Sequence, residues 1–73
     1  MGGSYSHALY LLAWMASEKP DPHGALRYLD QAREVEPDHP DVLCLRGFVL
    51  RQLECVEEAV HSYRQALTAR AWA

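Results

Sequence analysis

The chain has no block of basic residues. Its seven Lys and Arg are scattered among ten Asp and Glu, for a net charge of −3. Without a basic patch, neither nucleic acid nor an anionic membrane is an expected partner. Long apolar runs are missing as well. The longest, Ala8 to Ala16, falls far short of the roughly 20 residues needed to span a bilayer. It also lacks the basic flank of a signal peptide. Cysteine is scarce: Cys44 and Cys55 lie eleven apart, without CxxC spacing. With no export signal, they read as buried or half-buried thiols in a reducing compartment, so the expected location is cytoplasmic. β-Branched residues are few, while Leu, Ala, Glu and Arg are plentiful, which favours an all-α fold.

The motifs of metal and catalytic centres are absent too. His7, His23, His39, His61, Cys44 and Cys55 form no HxxxH, HExxH or CxxC pair, whereas a structural zinc site needs four converging ligands, usually in close local pairs. There is no nucleophile elbow, glycine-rich phosphate loop or tight carboxylate pair. Glu57 and Glu58 are adjacent, point different ways on a helix and favour its N-terminus. The expectation is a non-enzyme without a cofactor.

What is present is a packed helical chain. Hydrophobic residues make up 49% of 73 positions, which argues against disorder and allows one small domain. Residues 1–5 read as a flexible leader and 6–73 as the domain. The first helix should run from about Ser6 to Glu18, capped by Ser4 or Ser6. It is apolar around so much of its circumference that it should be covered on more than one side. Pro20 and Pro22 end it, and Asp21 then suits the N-cap of a second helix with Pro22 at its first position. That helix should reach about Glu36, with Ala25, Leu26, Leu29, Ala32 and Val35 inward. After a break at Pro37 and Pro40, a third helix spans about 41–53, and Glu54-Cys55 turns the chain into a fourth, from Val56 to near Ala71.

The organising feature is a repeat. Glu57 to Leu67 puts small Ala59 and Ala66 on one helical face, with Val60, Tyr63 and Leu67 filling the space around a close helix contact. Thirty-four residues upstream, Ala25, Leu29, Gln31 and Ala32 stand where Ala59, Tyr63, Gln65 and Ala66 stand. The same offset matches Leu9 with Leu43 and Leu11 with Leu45, and sets Ala13 opposite Gly47. The units are 6–39 and 40–73. With these residues and this period, the chain resembles the tetratricopeptide repeat (TPR) family. Arg46 departs from it where a Leu is usual, as does Ala16 where a larger residue is usual, and Pro20-Asp21-Pro22 rewrites the first turn.

The resemblance implies four antiparallel helices in a right-handed α-solenoid fragment, and a protein-binding role. The first helix of each unit would line a concave groove. The groove positions fall on His7, Tyr10, Trp14, Ser17 and Glu18, then on Asp41, Cys44, Phe48, Arg51 and Gln52. Tyr10, Trp14, Cys44 and Phe48 form an aromatic stripe that suits either ordinary core or a groove for an apolar or amphipathic segment, with His7, Asp41 and Arg51 as its rim. The carboxylate-clamping Lys and Asn of the family's chaperone-binding members are not at these positions. Two other roles remain open: a small acidic chaperone of secretion substrates, and a structural, self-associating segment of a longer array. Repeat arrays need capped ends, so the fourth helix, with Trp72 after it, is expected to be left partly exposed and to drive self-association, either by two-fold pairing with a second copy or by exchange of helices about the break at Pro37 to Pro40.

Overall fold

In a computed structural model of the protein, the backbone is described for residues 2–72 and the side chains for 5–70. The described residues are all-α and form four helices: α1 (Gly2–Glu18), α2 (Pro22–Val35), α3 (Pro40–Gln52) and α4 (Val56–Trp72). No described residue lies in a strand. α1 packs against α2, α3 against α4, and α2 against α3, with a smaller contact between α1 and α3. Among the described residues, the backbone of α4 packs against that of α3 alone.

Local signals placed the helix ends. The Asp21 carboxylate accepts from the Gly24 amide at 3.1 Å, and Pro22 takes the first helical position of α2, where its missing donor costs nothing. Pro40 does the same for α3. α3 ends on a left-handed residue: Glu54 has φ 63°. The Cys55 amide then reaches the Leu50 carbonyl at 2.9 Å and the Glu54 amide reaches Arg51 at 3.0 Å, the paired bonds of a Schellman motif. At the end of α1 the Asp21 amide reaches the Ala16 carbonyl, also at 2.9 Å. Donor and acceptor there each sit 34 residues before Cys55 and Leu50.

α1 starts earlier than expected. It is helical from Gly2, four residues before Ser6, so the stretch assigned to a leader is helical from that residue on. Ser6 is no cap. It is fully buried inside the helix, and its hydroxyl donates to Glu36 Oε1 at 2.9 Å, fastening α1 to the end of α2.

The core is built from Leu9, Ala13 and Ala16 of α1, Ala25, Leu29 and Ala32 of α2, and Val42, Leu45 and Val49 of α3. Ala59 and Ala66 are 2% exposed at the close approach of α4 to α3. Gly47 belongs to the same contact: a Cβ there would lie 3.0 Å from the Tyr63 ring. Arg46, the departure from the repeat pattern, donates from Nη1 to the buried Ser62 hydroxyl at 2.7 Å, and its Nε lies 3.8 Å from the Asp30 carboxylate of α2. That second distance is an ion pair without a hydrogen bond.

Three expectations of burial need correction. α1 is not covered on more than one side: Leu11, Leu12, Trp14 and Met15 are 42–54% exposed, because α2 and α3 cover a single face. Val35 is exposed in the last turn of α2, on a side that α1 and α3 leave uncovered. Val60 and Leu67 do not fill the space around the α3–α4 contact; they point away from it and are 44% and 68% exposed. The Trp72 side chain lies outside the described residues.

Candidate functional site

Tyr10 and Trp14 stand four apart on α1, and Cys44 and Phe48 four apart on α3, so each pair shares a helix face. The packing of α1 beside α3 brings the two faces together. Tyr10, Trp14, Asp41, Cys44, Leu45, Phe48 and Arg70 line an open cavity of about 310 Å³. Five of the seven residues singled out from the sequence therefore meet in one place. The other two flank it. His7 stacks on Tyr10, with ring centroids 6.1 Å apart and planes at 25°. The Arg51 guanidinium lies 6.0 Å from the centre of the Phe48 ring, within cation–π range.

Two groove neighbours were not foreseen. Arg70 comes from the last turn of α4, outside the helices that the repeat pattern assigns to the groove. Its signal was a cation near a helix C-terminus, a common feature with its own explanation in the helix dipole. His39, in the α2–α3 connection, stacks on Tyr10 with centroids 6.5 Å apart and planes at 13°. Ser17, Glu18 and Gln52 do not line the cavity. The Ser17 hydroxyl turns back to the Trp14 carbonyl at 2.8 Å.

The aromatic residues divide between core and groove. Tyr10 is half-buried and packs against the core cluster. Trp14 and Phe48 do not belong to that cluster; they are 44% and 36% exposed. Cys44 is a half-buried free thiol beside them. Partial burial, and then the negative charges of Asp41 and of an ionised Cys44, raise the Tyr10 phenol above its ordinary value. The phenol therefore stays a neutral donor and acceptor through the physiological range.

A larger hollow of about 620 Å³ is lined by Asp38, His61, Arg64, Gln65, Thr68 and Ala69. Most of the residues that line it come from α4. Among the described residues, no group of three or more His, Cys, Asp or Glu side chains is placed to hold a metal ion. Nor is any described helix long and apolar enough to cross a membrane.

No protein-family model, curated protein or solved structure matches this chain at a significant level. Its resemblance to the TPR family rests on its own residues and their spacing.

Proposed function

We propose that the chain is a protein-binding module of two TPR-like helix–turn–helix units, stacked as a right-handed solenoid fragment, which holds an apolar or amphipathic partner segment in the groove between α1 and α3. The observation that carries this reading is the exposure of Trp14 and Phe48 on a concave surface, 34 residues apart. Large aromatic rings left out of a core, beside half-buried Tyr10 and Cys44, provide the rigid apolar anchors that dominate binding energy at interface centres. Asp41, Arg51, Arg70 and His7 around them offer both signs of charge for orienting a segment. The role is binding, without catalysis.

The 34-residue unit is supported by the equivalent turn bonds Asp21–Ala16 and Cys55–Leu50. It is supported as well by the burial of Leu9 with Leu43, Ala13 with Gly47, Ala25 with Ala59 and Ala32 with Ala66.

The test is selection of binders from a random peptide library on the wild-type chain, with counter-selection on the Trp14→Ala/Phe48→Ala variant. The expected peptides are rich in Leu and aromatic residues. They should lose at least about 2 kcal/mol of affinity for the double variant, while circular dichroism shows its helices intact. Peptides that bind both proteins equally would refute the groove as the site. Unfolding of the variant would assign the two rings to the core.

A further inference from the structure

Two apolar stripes of this molecule have no partner within it. On α1, Ala8, Leu11, Leu12 and Met15 are exposed along one face; Leu11 and Met15 are 47% and 54% exposed. On α4, Val56, Val60 and Leu67 are exposed at 60%, 44% and 68%. The backbones of the two helices do not approach each other. They stand at opposite ends of the packing order α1, α2, α3, α4.

The 34-residue offset relates each stripe to the seam inside the molecule. Adding 34 to 8, 11, 12 and 15 gives Val42, Leu45, Arg46 and Val49. Val42, Leu45 and Val49 are the α3 residues buried in the core at 0–4% exposure, and Arg46 reaches across to Asp30 of α2. Subtracting 34 from Val60 and its stripe neighbour Tyr63 gives Leu26 and Leu29, the α2 residues that pack into that same cluster; Val56 and Leu67 fall opposite Pro22 and Arg33, which are half-buried outside it. Leu29 is fully buried there, while Tyr63 is only half-buried. Each end of the molecule is thus one half of a seam whose complete form joins α2 to α3.

We infer that the two ends bind each other between molecules: the outer face of α4 in one copy receives the outer face of α1 in the next, as α2 receives α3 within the chain. The chemistry is compatible. The α1 stripe carries no charge, so no buried ion has to be matched. Leu12 replaces Arg46, and Arg64 replaces Asp30, so the internal ion pair gives way to apolar contact, with Arg64 free to extend its charge to solvent. The contact is head-to-tail, uses different surfaces on the two partners, and does not close at two copies. It rests on the repeat register and is independent of what the aromatic groove holds.

Sedimentation velocity over a wide concentration range tests it, with two variants: Leu11→Glu/Met15→Lys on the α1 face and Val60→Glu/Leu67→Lys on the α4 face. All four positions are exposed, so both variants should keep wild-type helicity by circular dichroism. The wild type should grow past dimer as concentration rises. Each variant should lose self-association, and an equal mixture of the two should form a one-to-one complex and nothing larger, since a single intact seam is then available. A wild type that stays monomeric would overturn the inference, whatever the groove binds. So would an α1-face variant that still dimerises, which would mean a two-fold contact of α4 with its own copy. Variants that both stay monomeric when mixed would overturn it as well.

Discussion

Gly47 and Tyr63 should behave as one unit, and a double-mutant cycle measures it. The equivalent residues one unit earlier are Ala13 and Leu29, both fully buried. One seam uses a small residue and a medium one; the other uses no side chain and a large ring. In Gly47→Ala the new methyl would stand 3.0–3.1 Å from three Tyr63 ring atoms, closer than ordinary van der Waals contact. The helix gains about 1 kcal/mol from replacing an interior glycine, and overpacking costs about 1–3 kcal/mol. The net is a loss of about 0–2 kcal/mol. Tyr63→Leu alone removes most of a ring over an empty glycine site and should cost about 1–3 kcal/mol, the lower part of the range for large-to-small changes. The double variant recreates the pair found in the first unit. The new methyl then occupies the space the ring has left, and the loss should be smaller than the sum of the single losses by about 1–2 kcal/mol. Urea unfolding followed by far-ultraviolet circular dichroism gives the required free energies if the slopes agree. Additivity within about 0.5 kcal/mol would refute the reasoning, because it would mean that Tyr63 moves away from α3 without cost.

Other changes have defined expectations. Glu54→Gly should stabilise the chain by about 0.5–1 kcal/mol, since Glu54 holds φ 63° and only glycine takes that conformation without strain; an unchanged melting temperature would contradict it. Ala59→Leu should destabilise by about 1–3 kcal/mol through overpacking at a site 2% exposed, which thermal melting reads directly. The raised Tyr10 phenol keeps its proton in the folded chain at a pH where the unfolded chain has lost it. Stability from this group is therefore complete below the ordinary tyrosine value and falls as pH rises through about 10 and beyond. Tyr10→Phe should flatten that alkaline decline, and Asp41→Asn should shift Tyr10 ionisation, followed by ultraviolet absorbance, to lower pH.

Much of the fold was legible in the sequence because it is written locally. Pro22 and Pro40 mark helix starts, Asp21 is an N-cap, and Ala59 and Ala66 seven apart mark a close helix contact. The groove residues were legible through the repeat offset, which pairs Trp14 with Phe48 across two helices. Features that depend on which neighbour exists were harder to read. Leu11 and Leu45 stand 34 residues apart, yet one is 47% exposed and the other 4%; α2 covers the second, and no described helix covers the first. Ser6 looked like a cap because serine favours caps, but its buried hydroxyl answers to Glu36, thirty residues away. Arg46 looked like a flaw in the pattern until Ser62 and Asp30 were seen to meet it. Arg70 reaches the groove from a helix the pattern assigns elsewhere.

The packing order has a consequence for how the molecule transmits change. Among the described residues, the α4 backbone packs on α3 alone, and α1 and α2 both pack on α3 as well. A disturbance at one end then reaches the other through α3 and, beside it, through the cavity that Arg70 shares with Tyr10 and Trp14. α3 is the single shared member, so loosening it uncouples the two helix pairs, whereas fraying α1 or the far end of α4 leaves the remaining contacts in place. Amide exchange would then rank the helices by their number of neighbours, with α3 the last to open.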